Sequence, residues 1–145
     1  MLNHNEKTLL ESFEGNFNLK EWIFQVQKST NPYFLQESAT LYNWNDGYEL
    51  PIAIANNPFC DQGIALNLHW LSAGIALHTE ENIRNEENRE WVAFCELIEK
   101  RILNQFYKMG PISFKPPISK VTTFKYKKRG IPTVLYTPFN GKTII

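Results

Sequence analysis

The stretch Tyr42–Leu71, YNWNDGYELPIAIANNPFCDQGIALNLHWL, holds three turn or cap signals and two short apolar runs. Asn43–Gly47 is rich in Asn, Asp and Gly, and Gly47 suits a backbone with positive φ. Glu49 and Pro51 open a short helix, Glu49–Ala55, which closes near Asn56-Asn57-Pro58. Asp61 then stands where an N-cap is needed for a helix over Gln62–Ala73. Within it, Ile64, Ala65, Leu66, Leu68, Trp70 and Leu71 leave little polar surface. A helix that is apolar almost all round is a buried one. The stretch therefore predicts a mainly α fold built around Gln62–Ala73.

Outward from this centre the helical pattern continues. Residues 4–13 form a short helix with Leu9, Leu10 and Phe13 on one side, interrupted at Gly15. Asn18 is the N-cap of Leu19–Lys28, with Glu21 at the capping-box position and Leu19, Trp22, Ile23 and Val26 as its apolar stripe. Asn31-Pro32 starts a third helix, whose inner face is Phe34, Leu35, Ser38 and Leu41–Tyr42. On the far side, Gly74 ends the central helix and a polar connection, His78–Asn88, follows. A long amphipathic helix then runs to about Met109, with the stripe Trp91, Cys95, Ile98, Ile102, Phe106 and Met109. Gly110-Pro111 stops it.

The remainder changes character. Pro111, Pro116 and Pro117 punctuate it, Val121–Tyr126 alternates β-branched, aromatic and Lys residues, and Ile131–Thr137 follows a turn at Lys127–Gly130. This predicts a C-terminal β-hairpin or an extended arm lying on the helices, since two strands alone are marginal in water. The expected organisation is one compact domain, 1–145, of about five to six helices: a helical body over 1–110 and a basic, Pro-punctuated arm over 111–145.

A chain of 145 residues with 43% hydrophobic content can bury a core of its own, so it needs neither disulfide nor metal to fold. No apolar run approaches the ~20 residues that span a bilayer, so no membrane association is expected. Met1–Gly15 is polar and has no secretory h-region. Cys60 and Cys95 show no CxxC spacing, and reduced thiols in the cytoplasm are the expectation. Formal net charge is zero but divided: residues 1–110 hold all 15 acids and 8 Lys/Arg, net −7, while 111–145 hold 7 Lys/Arg and no acid. A basic arm folded on an acidic body is the economical explanation. A nucleic-acid-binding arm, Lys115–Arg129, is the sharper one, though its cations are diluted by apolar residues.

Each polar candidate has a plain reading beside its chemical one. Asp46 and Glu49 are a carboxylate pair, but also a turn residue and a first-turn acid. Asp61 is a potential ligand or orienting acid, but also an N-cap. Cys60 with His69 has the residue types of a nucleophile and base, without any oxyanion-hole signature. His4, His69 and His78 lack the close ligand spacing of a metal site, and His69, amid Leu68, Trp70 and Leu71, is read as a hydrogen-bonded core or groove histidine. GxGxxG, GxxxxGK[ST] and GxSxG are absent, which argues against dinucleotide, P-loop and α/β-hydrolase chemistry. No cofactor is expected. Glu80, Glu81, Glu86, Glu87 and Glu90 form an acid-rich patch, either a solvated helix start or a surface that meets a basic partner.

The residues Trp44, Asp46, Gly47, Glu49, Pro51, Asn57, Pro58, Cys60 and Asp61, followed by Gly63-x-Ala65-Leu66, resemble a small bacterial domain, the domain-of-unknown-function family 4274. That family carries a W-[ND]-D-G-x-E-x-P stretch, then N-P-x-C-D, then A-L. The resemblance covers about a third of the chain closely and implies a compact, mostly helical cytoplasmic domain without an assigned activity. Small stand-alone domains of this kind resemble immunity proteins, which bind and block toxins. The expectation is thus a non-catalytic protein-binding module, an immunity protein whose acid-rich face occludes a toxin. The alternatives are an enzyme using Asp46, Glu49, Asp61, Cys60 or His69, and weak nucleic-acid binding through the basic arm. A homodimer is the other partner expectation.

Overall fold

Asparagines start the first three helices of the chain. Asn3 and Glu6 exchange hydrogen bonds, Glu6 N to Asn3 Oδ1 and Asn3 N to Glu6 Oε1, both 2.8 Å, in a reciprocal capping box. Asn18 Oδ1 accepts from Glu21 N at 3.1 Å, and Asn31 Oδ1 from Tyr33 N at 3.0 Å. The computed structural model describes residues 1–15 and 18–142. Among these are α1 (His4–Gly15), α2 (Leu19–Lys28), α3 (Pro32–Leu41), α4 (Glu49–Asn56), α5 (Gln62–Leu71), α6 (Ala76–Thr79), α7 (Arg89–Leu103) and α8 (Lys120–Lys128). Single 3-10 turns lie at Trp44–Asp46 and Thr133–Leu135. The fold is mainly helical, with eight helices among the described residues rather than five to six.

The apolar helix of the central stretch occupies the expected place. α5 packs against α3, α4 and α7, and α2 lies along α4. Ile64, Ala65, Leu66 and Leu68 of α5 are buried with Leu50 and Ile54 of α4, Phe34 and Leu35 of α3, and Phe94, Ile98 and Ile102 of α7. Aromatic rings link the N-terminal helices to α7 through the turn: Phe13 stacks on Trp22, Trp22 meets Tyr42, Tyr42 meets Trp44, and Trp44 meets Phe94 at 5.7 Å. The buried Ser38 accepts from Trp22 Nε1 at 3.0 Å, which explains a hydroxyl on an apolar face.

Two expectations fail. α7 ends at Leu103, six residues before Met109. Gln105 takes the left-handed conformation, φ 57°, and Phe106 N donates to Arg101 O at 3.0 Å, the hydrogen-bond signature of a helix stop. The chain turns there, so Tyr107 enters the core and bonds Ala55 O at 3.0 Å, while Phe106 and Met109 of the expected stripe face outward.

The second failure is the hairpin. Val121–Tyr126 is helical, and no strand occurs among the described residues. Ser119 Oγ accepts from Thr122 N at 3.1 Å and starts α8, whose inward residues Thr122, Thr123 and Tyr126 follow the helical period. Tyr126 packs edge-on against Tyr136 at 5.3 Å. β-branched and aromatic residues thus gave a strand-like composition to a capped helix, because tertiary contacts and the cap override a weak propensity. Ile131–Thr137 contains the second 3-10 turn. Phe114 and Phe139, on either side of α8, form an isolated antiparallel bridge, with N–H to O distances of 3.1 and 2.9 Å.

Candidate functional site

The Asn57-Pro58-Phe59-Cys60-Asp61 segment joins α4 to α5 and is a junction of three chain regions. Asn57 Nδ2 donates to Val26 O at 2.8 Å and Ser29 O at 2.9 Å, and Asn57 Oδ1 accepts from Phe59 N at 2.7 Å. The amide therefore adds a second donor to Val26 O, which already accepts from Ser29 N, and supplies one to Ser29 O just past the end of α2. Asp61 Oδ1 caps α5 by accepting from Ile64 N at 2.9 Å, and Oδ2 accepts from Ile112 N at 3.2 Å. One carboxylate thus holds both the central helix and the start of the C-terminal arm. Burial raises the Asp61 carboxyl above its ordinary range, and the backbone N–H groups oppose that shift. Gly63 permits the close crossing, because a Cβ there would collide with the Ile112 carbonyl.

Cys60 is buried, and burial first, then the Asp61 charge, pushes its thiol up, away from the low-pKa environment of a reactive cysteine. Cys95 is likewise buried and free, its thiol pushed up to about 11, chiefly by burial. The segment borders a cleft of about 550 Å3 with Phe59, Phe106 and Met109 at its walls.

The turn residues serve packing. Trp44 Nε1 donates to Ala39 O at 3.1 Å, and Tyr42 Oη donates to Gly47 O at 2.9 Å. Gly47 adopts φ 102°, which only glycine takes readily. Asp46 and Glu49 are exposed, while Pro51 is buried in the first turn of α4. Burial, then the charges of Asp46 and Glu49, pushes the Tyr42 hydroxyl up to about 12.

His69 belongs to a different cluster. Its Nε2 lies 3.2 Å from Glu99 Oε2, and His78 Nε2 lies 2.6 Å from Glu99 Oε1. The side chains are 1%, 13% and 28% exposed for His69, Glu99 and His78, so the chain of contacts runs from the core outward. It ends in a cleft of about 290 Å3 bordered by His78, Arg84, Glu96, Glu99, Lys100 and Asn104. Burial works to raise the Glu99 carboxyl, but the interactions with His69 and His78 outweigh it and hold the group below its ordinary range. His69 is thus a hydrogen-bonded core histidine, as its sequence setting suggests. The partner was not picked out from sequence. Its signal is position: Glu99 falls one turn after Cys95 and one before Ile102, a carboxylate at the margin of an apolar stripe.

Apart from the Cys60 thiol, which donates to the neighbouring Asp61 backbone carbonyl at 3.8 Å, no side-chain hydrogen bond or ion pair joins any two of Asp46, Glu49, Cys60, Asp61 and His69 among the described residues. Nor is there, among them, a group of three or more His, Cys, Asp or Glu that could hold a metal ion. No described helix is long and apolar enough to cross a membrane.

Glu80, Glu81, Glu86, Glu87 and Glu90 are all exposed, between the end of α6 and the first turn of α7. Of the five, Glu86 alone is ion-paired, to Arg89 Nη1 at 3.0 Å, among the described residues.

What these contacts define is a helical domain whose motif residues are clamps, caps and turns. The model of a domain of unknown function, DUF4274, matches residues 30–103, from just before the α3 cap to the end of α7. That is just over half of the chain, and the protein belongs to this family. No curated protein and no solved structure matches it.

Proposed function

We propose that this domain is a non-catalytic protein-binding module that presents Glu80, Glu81, Glu86, Glu87 and Glu90 to a basic partner, and that it acts as an immunity protein occluding a toxin. The observation that carries the reading is the exposure of all five glutamates on one connecting segment, four of them without an ion pair among the described residues. An unneutralised acidic face speeds encounter with a basic cleft and disfavours acidic competitors. Support also comes from the motif residues: Asp61, Asn57 and Trp44 each have hydrogen-bond partners inside the fold, which gives each a structural role. The block is steric once the faces meet, so no residue of this chain needs to react.

Affinity capture from the native host with mass spectrometry tests the reading. A basic protein should be retained at low salt and released as salt rises, and the variant with all five glutamates changed to Gln should fail to retain it. Recovery of no partner, or equal capture by the variant, sinks the idea.

A further inference from the structure

We propose that the outward face of α8 binds single-stranded nucleic acid. Tyr126 packs this helix on the core and Thr122 and Thr123 are half-buried beside it, while Val121 and Phe124 are 63% and 66% exposed. At 100° per residue, Lys120, Val121, Phe124, Lys125 and Lys128 share the outward half of the helix. Lys115, Lys120, Lys125, Lys127, Lys128 and Arg129 are all exposed, and none forms an ion pair among the described residues. No acid follows Glu99 in the sequence, so the arm itself carries none to neutralise them. Arg129 Nη1 donates to Thr79 O at 3.1 Å and anchors the end of the helix to the body.

The complementary partner is a polyanion, and Phe124 selects among polyanions. An exposed ring set between lysines is a platform for an unstacked base, which a single strand offers and a duplex does not. A protein groove receiving this helix would need apolar anchors at i, i+3, i+4 and i+7. Here those positions are Val121, Phe124, Lys125 and Lys128, so docking would bury two ammonium groups. A lipid surface needs a broader apolar face than two side chains on a nine-residue helix. The lysines meet phosphates, Phe124 stacks on a base, and sequence preference is weak. This face uses residues other than the glutamates, and separate variants and ligands test the two proposals.

The test is fluorescence anisotropy of the whole chain with labelled oligo-dT and oligo-U of roughly 15 nucleotides, a length within reach of one such surface. Saturable binding is expected to at least one of them. If four phosphates are neutralised, affinity should fall roughly 50-fold as salt rises from about 50 to 200 mM. Phe124→Ala should weaken binding roughly five- to a hundredfold. Lys120→Gln with Lys125→Gln and Lys128→Gln should weaken it and flatten the salt dependence, while Lys20→Gln on α2 should change neither. Circular dichroism checks that each variant is folded. Absence of binding at low salt overturns the proposal. So does an unchanged Phe124→Ala variant, equal affinity for duplex, or tighter binding to anionic phospholipid vesicles or polyglutamate.

Discussion

The imidazole of His69 occupies the space that a side chain on Gly74 would need: a Cβ built there stands 2.6 Å from His69 Cδ2. The residue that reverses the chain at the end of α5 is Ala73, with φ 60°. Ala73 N donates to Trp70 O at 3.0 Å and Gly74 N to His69 O at 2.8 Å, the paired bonds of a left-handed helix stop. Glycine therefore sits at position 74 for room, and alanine carries the strained conformation beside it.

That division of labour predicts opposite effects at neighbouring positions. An L-residue in the left-handed region costs ~1–2 kcal/mol, partly offset because glycine has more freedom to lose on folding. Ala73→Gly should raise stability by about 0.5–1 kcal/mol. Gly74→Ala should lower it by about 1–3 kcal/mol, since the buried ring must move and its contact with Glu99 loosens. Urea unfolding of both variants checks the pair. Loss of stability in Ala73→Gly would refute the assignment.

Glu99 gives a pH prediction. Its carboxyl lies below its ordinary range in the fold because His69 and His78 hold the charged form against burial. The unfolded chain, with a glutamate pKa near ~4.3, takes up the proton first on acidification. Stability is then present above that value and is lost as pH falls through the folded pKa. Glu99→Gln should be less stable than the parent at neutral pH, and the gap should narrow as pH falls below about 4.3. Urea midpoints across this range measure it, and a gap independent of pH would contradict the assignment.

Asn57→Ala removes three hydrogen bonds at once and takes the side-chain donor from Ser29 O, while Val26 O keeps its bond from Ser29 N. The expected loss is about 2–4 kcal/mol, the size associated with unsatisfied buried groups. Asn57→Asp keeps the acceptor to Phe59 N but sets a carboxylate against Val26 O and Ser29 O, so it should be no milder. Thermal unfolding of both variants would show it, and a mild Asn57→Asp effect would mean that the donors matter little.

Much of this was legible in the chain, and the reasons differ by element. The caps Asn18, Asn31 and Asp61 announce helices because a short polar side chain beside an apolar period has few other uses, and all three form the bonds expected of them. The burial of α5 was legible from its lack of a polar face. α8 was not, because Val, Thr, Phe and Tyr favour strands and only Ser119 signals a helix there. The end of α7 was hidden because a non-glycine residue, Gln105, takes the left-handed position. Among the candidate residues, Asp61 caps α5 and Trp44 Nε1 bonds Ala39 O, contacts that suit the cap and packing readings of the sequence. The His69–Glu99–His78 contacts link residues up to 30 apart in sequence, and such proximity is a property of packing that no local pattern encodes.

Asp61 allows the two jobs of one carboxylate to be separated. Oδ1 serves Ile64 N and Oδ2 serves Ile112 N, with Gly110 so close that a Cβ there would strike the carboxylate. Asp61→Ser keeps a capping oxygen for α5 but loses the bond to the arm, and should cost about 1–2 kcal/mol. Asp61→Ala loses both and should cost about 2–4 kcal/mol. Asp61→Asn retains one acceptor oxygen and removes the charge. Because burial raises the folded pKa of Asp61, the folded state binds its proton more readily than the unfolded chain does. That contribution is present in acid, below the unfolded value, and is lost as pH rises through the folded pKa. Asp61→Asn does not titrate, so its deficit relative to the parent should shrink as pH rises across that range. Urea midpoints of parent and variant compared over it decide the sign, and a deficit that grows instead would show that the N–H donors of Ile64 and Ile112 prevail over burial.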